Sequence, residues 1–563
     1  MTLVYAKFAN PDEAYAAAIG ERLLEGYRLY EGAVSQRGPL MYYAFAGLAD
    51  LFGWDNVLAI RVFALAFAFA HVAVVYLAGY VLISGRGALI SAAIVSYALA
   101  FGLIPNEGLV LHGEALIMPF LLVAVIVGGL AMMQPSASWT RRRLLVMSGL
   151  LFGTTIGVKQ TVFAQSLPLG AWLIAEAWAL RAKWRDALTE ILLLLLAVLC
   201  VPAALLIHAW KQGTLRQLAY YCYTYNIQVH RLGGRWSLPV DVLQRYPCFL
   251  LGTGAVVALT AARWSARASL AIRSRRLRAL AVGFGKHDYI AMEFVFAFAT
   301  AAVLPQFFEH YYLVPIPFLA LALASVPPLA ARLPRLEPYV RWSILGAAAV
   351  FVVGAVQTPW VREKPDGRVA HGPNVEQVGL YIAQHTAAED RVFVWGFSPW
   401  LYEYSHRRPA TRFVFTTYPI GFVPWFREAL DIEPSRAVPG AMEELLDDLR
   451  RERPTYVVDA GSVAIARPMR AYTGPAALLR ERYCFDVRIG SFDLYRIAPK
   501  EGTCDTPLFP RPADPVDHFD KPLSVEMPRV IDFDASYPLP TRMVGPPVRF
   551  SAEGGHFAVS QPL

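Results

Sequence analysis

Long apolar runs separated by short polar segments fill the chain up to about residue 360, and this pattern predicts membrane helices. An apolar run of about 17–25 residues is long enough to cross roughly 30 Å of hydrocarbon as a helix. Beyond residue 360 the apolar blocks become short and alternate with polar ones. About ten spans are predicted, near 55–84, 87–104, 114–133, 144–162, 163–180, 188–210, 247–262, 288–304, 311–331 and 342–359.

Basic residues are concentrated in alternate loops between these spans. Lys and Arg are enriched in the cytoplasmic loops of membrane proteins, so the loops that carry the clusters are expected to face the cytoplasm. The N-terminal segment, the other loops and everything after about Val361 are then expected outside the cytoplasm. The clusters lie at 141–143, 181–185, 263–286 and 332–341.

The first 54 residues predict two short helices rather than a span. Segments 12–26 and 39–52 are amphipathic but too short or too polar to cross a membrane, and such segments form helices that lie in the interface. Glycines and a proline between them predict a turn. We therefore expect two surface helices that hold the acidic pair Asp12 and Glu13 over the membrane.

The region after the spans predicts a small α/β domain with a largely parallel sheet, because strand and helix patterns alternate. Strands are expected at 391–396, 412–415 and 455–461, helices at 373–386, 440–452 and 473–483, and a hairpin or strand pair at 486–498. The predicted organisation is an extracytoplasmic loop (1–54), a transmembrane domain (55–360), the α/β domain (361–500) and a proline-rich extension (501–563).

Composition agrees with a membrane protein that has a soluble part. The 563 residues are 56% hydrophobic and 17% charged, with a mean hydropathy of +0.39, whereas soluble domains are about 25% charged. The net charge of +8 does not require a nucleic-acid partner, because much of it falls in the predicted cytoplasmic loops. Cys484 and Cys504 share the outer domain and could form a disulfide in an oxidising compartment. No Cys/His spacing predicts a zinc site.

Several ionisable residues lie at the ends of the apolar runs, on the side predicted to be outside. An ionisable group at the end of a membrane helix is a functional-site hypothesis by default. The polar loops that precede and follow the spans are expected on the same side of the membrane as these residues. The residues are Asp12, Glu13, Glu114, Lys159 and His310.

Five stretches carry a family resemblance: PDEAYAAAIGERLLEGYRLYEGAVSQRGPLMYYAFAGLADLFG (11–53), HGEALIMPF (112–120), GVKQT (157–161), HYYLVPIPFLALALA (310–324) and VFVWGFSPWLYEYSHRRPATRF (392–413). They resemble membrane glycosyltransferases of the GT-C superfamily, and in particular family 39 and its bacterial relatives, the protein O-mannosyltransferase-like and aminoarabinose transferase-like proteins. The resemblance covers roughly residues 10–500. It implies a helical polytopic GT-C-like domain of about ten spans followed by a small extracytoplasmic α/β domain.

The resemblance implies that a sugar moves, with inversion, from a polyprenyl-phosphate carrier to a glycan, lipid or protein acceptor outside the cytoplasm of a bacterial inner membrane. Attack by an acceptor hydroxyl requires a base, for which Asp12 is the candidate with Glu13 beside it. The departing lipid phosphate requires cations. No cofactor is expected, and a divalent metal is not favoured. The candidate substrate-binding residues are Lys159, Arg37, His310, Tyr311, Glu114, Arg231, Arg235 and Arg245.

Other interpretations stay open at this point. Asp12 and Glu13 are also typical of a helix start, Lys159 could extend to the interface, and the tyrosines of 218–226 suit an interfacial belt as well as sugar stacking. The alternative functions are a lipid-linked glycan polymerase or another lipid-borne group transferase, a transporter or flippase, and a non-catalytic scaffold. The chain departs from the family pattern, since only about ten residues precede Asp12 where a first span is expected.

Overall fold

The computed structural model describes most of the two predicted domains and part of the C-terminal extension. The described residues are 11–99, 110–180, 184–228, 247–274, 285–303, 309–325, 375–421, 436–460, 468–499, 504, 508–509, 530–531, 549–553 and 556–560.

A helix occupies each predicted span that falls on described residues, whereas the predicted span 342–359 lies outside them. Within the described ranges, the helices Val57–Leu82, Gly113–Met132 and Trp184–Lys211 are long and apolar enough to cross a membrane. The helices of this region are α3 (Val57–Leu82), α4 (Gly85–Tyr97), α5 (Gly113–Met132), α6 (Trp139–Val158), α7 (Leu167–Leu180), α8 (Trp184–Lys211), α9 (Leu215–Ala219), α10 (Pro247–Ser274), α11 (Lys286–Val303) and α12 (Pro315–Ala324).

Polar side chains at several helix starts explain where these helices begin. Asn56 accepts a hydrogen bond from the backbone N–H of Ala59 at the start of α3, and Ser138 does the same for Arg141 at the start of α6. Such capping satisfies backbone donors that the helix leaves open. Short segments of other helix types interrupt the series of α-helices. They are 3-10 turns at Gln160–Ser166 and Glu309–Leu313 and a π-helical turn at Tyr220–Tyr225.

The two helices predicted before the spans are present as α1 (Pro11–Leu24) and α2 (Pro39–Phe52). However, α1 is enclosed by protein, with every residue from Glu13 to Arg22 buried, so it does not lie exposed on a surface. The reason is close packing of small residues: a Cβ on Gly20 would lie 2.8 Å from the backbone nitrogen of Ala46 in α2. This helix shares one hydrophobic core with α2 and the α/β domain.

The α/β domain contains a five-stranded mixed sheet. The strand order is β2-β1-β3-β5-β4; β1 pairs in parallel with β2 and β3, whereas β5 pairs antiparallel with β3 and β4. The strands are β1 (Arg391–Trp395), β2 (Arg408–Pro409), β3 (Tyr456–Asp459), β4 (Tyr483–Ile489) and β5 (Phe492–Ile497). The surrounding helices are α13 (Val375–Gln384), α14 (Trp400–Ser405), α15 (Thr417–Ile420), α16 (Ala441–Glu452) and α17 (Thr473–Arg482).

The prediction of this domain is right for its helices, for two of the three single strands and for the 486–498 hairpin. The strand predicted at 412–415 is wrong, because those residues form bends and the neighbouring strand is only Arg408–Pro409. The apolar side chains of that segment, Phe413 and Phe415, instead fill the core that α1 shares. The hairpin also makes half of the sheet antiparallel, so the sheet is mixed rather than largely parallel.

The end of the chain adds one covalent link and a small separate sheet. Cys484 on β4 forms a disulfide with Cys504, as the sequence allowed. Three antiparallel strands in the extension form a second sheet in the order β6-β7-β8. They are β6 (Val530–Ile531), β7 (Arg549–Glu553) and β8 (His556–Ser560).

Candidate active site

The first ion pair of the site joins Asp12 to Arg37. Asp12 lies in the first turn of α1, and its Oδ2 is 2.5 Å from Nη2 of Arg37, in the loop before α2. Burial acts to raise the pKa of Asp12, but the guanidinium of Arg37, with His310 and His112, holds that pKa below its ordinary value. The carboxylate of Asp12 is therefore charged at neutral pH and remains partly accessible, with 19% of its side chain exposed.

The second ion pair joins two membrane helices. Glu114, in the first turn of α5, pairs through Oε1 with the amine of Lys159, which caps the C-terminal end of α6. Nδ1 of His112 lies 3.4 Å from the other oxygen of Glu114, and Nε2 of His310 lies 3.9 Å from Oε1. Lys159 also lies 4.1 Å from the ring centroid of Tyr311. One buried carboxylate thus holds a lysine and two imidazoles together.

Gly38 brings the two ion pairs together. A Cβ on this glycine would lie only 2.7 Å from the carbonyl oxygen of Val158 and 2.9 Å from its carbonyl carbon. The backbone after Arg37 therefore lies directly on the last turn of α6, next to Lys159. Because the two ion pairs lie close together, the charges of His310 and His112 also act to lower the pKa of Asp12. The result is a single cluster at the N-terminal end of α5 and the C-terminal end of α6.

The loop that carries Arg37 is fixed by hydrogen bonds to its backbone. Tyr30 Oη donates to the carbonyl of Arg37 over 2.8 Å, and Asn226 Nδ2 donates to that of Gln36 over 2.9 Å. Sγ of Cys222, in the π-helical turn, lies 3.3 Å from the Arg37 carbonyl oxygen. Such π-helical turns are frequent at functional sites. Here Cys222 of the turn and Asn226, the residue directly after it, both contact the loop that carries Arg37.

Glu13 follows Asp12 in the chain but faces a different part of the molecule. It is fully buried, and its oxygens lie 2.6 Å from Nη2 of Arg61 on α3 and 2.5 Å from the backbone nitrogen of Leu111. Successive residues of an α-helix point in directions about 100° apart, which is why the acidic pair divides in this way. Glu13 therefore ties α1 to α3 and to the residues before α5, which is the arrangement of a positioning residue.

The structure brings together Asp12, Arg37, Glu114, Lys159, His310 and Tyr311. Two further participants were not predicted from the sequence. His112 lies inside the quoted HGEALIMPF stretch, and its position two residues before Glu114 was the available signal. Arg61 interrupts an otherwise apolar run, which by itself marks an intramembrane charge worth explaining.

Other predicted residues lie apart from the cluster or outside the description. Tyr221 and Tyr225 are buried, and their ring centroids lie 5.3 Å and 5.2 Å from that of Tyr418 in the α/β domain. They therefore belong to the hydrophobic core that α1, α2 and the α/β domain share, rather than to an exposed belt. The substrate-binding candidates Arg231, Arg235 and Arg245 fall outside the described residues. Within those residues, no group of three or more His, Cys, Asp and Glu side chains is arranged to hold a metal ion.

Several solved structures resemble this chain in fold. ArnT from Cupriavidus metallidurans bound to undecaprenyl phosphate matches with a TM-score of 0.52 and 14% identity over 89% of this chain and 96% of that one. ArnT in the apo state gives 0.47 with 15% identity over 88% and 95%. The oligosaccharyltransferase AglB from Archaeoglobus fulgidus, in complex with an inhibitory peptide and a dolichol-phosphate, gives 0.44 with 13% identity over 88% and 71%.

Sequence comparison adds nothing to this likeness, since no protein-family model and no curated protein matches the chain. The match to ArnT extends over most of both chains. The fold of this chain is therefore similar to that of ArnT from Cupriavidus metallidurans.

Proposed function

We propose that the protein is an integral-membrane glycosyltransferase that moves a sugar from a polyprenyl-phosphate carrier to an acceptor outside the cytoplasm. The observation that carries the proposal is the cluster in which the partly accessible carboxylate of Asp12 adjoins Arg37 and Lys159 at the ends of membrane helices. ArnT, which has the same fold, was solved with undecaprenyl phosphate. The proposed topology has ten spans in a bacterial inner membrane, with the α/β domain outside.

The proposed reaction is a single inverting displacement at the anomeric carbon. A bond forms between the acceptor oxygen and the anomeric carbon while the bond from that carbon to the phosphate oxygen breaks. Asp12 accepts the proton of the acceptor hydroxyl. The bonding electrons leave with the phosphate, and the lipid departs as a phosphate monoester. No oxidant, reductant or further reactant is required.

The cations of the cluster suit the leaving group. Charge that develops on a phosphate oxygen is stabilised by positioned donors that carry positive charge. Lys159 and Arg37 are only 18% and 27% exposed, so their charges are screened less than those of surface residues. Glu114 holds Lys159 in place, and His310 and Tyr311 border the same space. Arg231, Arg235 and Arg245 remain candidates for contacts to the donor.

Proteoliposomes offered a panel of polyprenyl-phosphate sugars and crude envelope acceptors test this function. Released polyprenyl phosphate is measured by mass spectrometry for the wild-type protein, Asp12→Asn and Asp50→Asn. Loss of a general base lowers rates about 10²–10⁴-fold, so Asp12→Asn should lose release to that extent. Asp50 is an exposed carboxylate on the neighbouring helix α2, and its variant should retain activity. Release unaffected by Asp12→Asn would exclude Asp12 as the base.

A further inference from the structure

A second charged cleft lies at the C-terminal end of α1. It is bordered by the α/β domain and by the loop between α1 and α2 (residues 25–38), called the first loop below. Its volume is about 320 Å³, and four arginines line it: Arg22, Arg28, Arg412 and Arg451. Asp448 and Glu31 are the two acids of the lining, so the arginines leave an excess of two positive charges. Arg22 follows Asp12 by ten residues on the helix, a distance of about 15 Å. The cleft is therefore separate from the cluster around Asp12.

Arg22 is the feature that points to a ligand. Its side chain is 1% exposed, and burial lowers its pKa. Nε donates to the carbonyl of Gly32 over 2.7 Å and Nη1 to that of Pro409 over 3.0 Å, while the guanidinium lies 3.9 Å from the ring centroid of Tyr27. Among the described residues no carboxylate pairs with it and no group accepts a hydrogen bond from Nη2. A buried charge of this kind normally has an anionic partner.

The other arginines differ from Arg22 in being already paired or exposed. Arg412 binds Asp448 with Nε 2.9 Å from Oδ2, and Arg451 lies 2.7 Å from the other oxygen of Asp448. Arg28 is 59% exposed and lies 3.5 Å from Glu31. Arg412 is thus held by Asp448 and by Glu444, whose Oε2 lies 3.1 Å from Nη1, while the exposed Arg28 is free to turn toward an incoming group. A planar guanidinium suits two parallel hydrogen bonds to a carboxylate or phosphate.

We propose that this cleft binds an anionic group, a carboxylate or phosphate, carried by an acidic glycan acceptor. The cleft lies between the first loop and the α/β domain, since Nη1 of Arg22 contacts β2 and Arg412 precedes α15. A glycan held there that covers the distance of about 15 Å between Arg22 and Asp12 would present a hydroxyl group to Asp12. The assignment to an acceptor rests on the proposed function, whereas anion binding at the cleft does not.

Binding measurements on the full-length protein in detergent test the cleft without requiring turnover. The probes are trigalacturonate, the neutral trisaccharide maltotriose and inorganic phosphate, each titrated by isothermal calorimetry. Trigalacturonate should bind saturably and maltotriose should not. Hydrogen bonds to a charged group contribute enough for about a tenfold loss of affinity when one partner is removed. Arg22→Gln and the exposed Arg28→Gln should each show that loss.

Matched variants separate the possible outcomes. Arg450 is exposed on the same helix as Arg451 and pairs with Asp447 outside the cleft, so Arg450→Gln should bind as the wild type does. Asp12→Asn should also bind trigalacturonate, and that result would hold even if the protein proved not to transfer sugar. Absence of trigalacturonate binding, or binding unchanged in both Arg22→Gln and Arg28→Gln, would overturn the proposal. Arginine-dependent binding of phosphate alone would overturn the assignment to a glycan.

Discussion

At the scale of single residues, the proposed role of Asp12 as the base depends on the different environments of Asp12 and Glu13. Asp12 is partly exposed and pairs with a guanidinium that is itself accessible, whereas Glu13 is buried against Arg61. A base must reach the proton that it abstracts, and only the first of these carboxylates meets that condition. The sequence could identify the acidic pair, but it could not assign the two roles, because the partners of Glu13 are 48 and 98 positions away.

The Asp12–Arg37 pair predicts how activity depends on pH. The pKa of Asp12 lies below its ordinary value of 3.8, so both base function and the stability from this pair are present above that pH and are lost as pH falls through the lower folded-state pKa. Arg37→Gln removes the positive charge and leaves burial to raise the pKa of Asp12. The acid limb of kcat/KM for polyprenyl phosphate release should therefore move to higher pH.

Arg37→Lys provides the control for this shift, because it keeps a positive charge while removing the planar guanidinium. Its acid limb should stay near that of the wild type even if its rate is lower. A limb that stays at the same pH in Arg37→Gln would show that Arg37 does not set the ionisation of Asp12.

At the scale of helices and strands, most predictions that depended on local pattern are confirmed, and those that depended on distant partners are not. The apolar runs correctly predicted helices in the described spans, and the hairpin at 486–498 was recognisable from its own residues. The segment 412–415 has the composition of a strand, but Phe413 and Phe415 pack into a core shared with α1. The enclosure of α1 could not be predicted either, because it depends on a domain more than 350 residues later.

Close contact between α2 and the end of α6 is the helix-scale feature on which the site depends. A side chain at Gly38 would meet the backbone of Val158 within 3 Å, and a backbone can yield only by moving the helix. Gly38→Ala should therefore lower the melting temperature and reduce transfer by separating Arg37 from Lys159. The melting temperature is measured by thermal unfolding, and transfer is measured by the release of polyprenyl phosphate.

Gly47→Ala is the matched control, since Gly47 lies within α2 and a Cβ there would meet nothing within 4 Å. Replacing a glycine inside a helix with alanine stabilises it by roughly 0.5–1 kcal/mol, so this variant should be as stable as the wild type or more so. Equal behaviour of the Gly38 and Gly47 variants would show that the α2–α6 contact is unimportant.

At the scale of the whole molecule, the α/β domain and the first loop form one packed unit above the membrane helices. Arg391 pairs with Glu25, and Nε of Arg408 lies 2.7 Å from Glu21, so ion pairs border the shared core. The carbonyl of Arg412 in this domain also accepts a hydrogen bond from the backbone N–H of Val34, in the loop between α1 and α2, over 3.0 Å.

Glu403 makes the stability of this unit dependent on pH. It is 2% exposed on α14, and burial together with the charge of Glu13 raises its pKa well above the ordinary value, against an opposing effect of Arg61. A raised pKa means that stability is fully present below the ordinary value of 4.5 and declines as pH rises through the folded-state pKa. Glu403→Gln should therefore raise the melting temperature more at pH 8 than at pH 5. An equal change at both values would contradict a protonated Glu403.

In the proposed reaction, one lipid phosphate leaves for each sugar that the acceptor gains. Both products can be counted in the same proteoliposome reaction, with a radiolabelled sugar for the acceptor and mass spectrometry for the lipid. The wild type should form both in equal amounts, and Asp12→Asn should form both about 10²–10⁴-fold more slowly. Sugar that crosses the membrane still attached to its carrier, without release of polyprenyl phosphate, would contradict sugar transfer and favour a transporter.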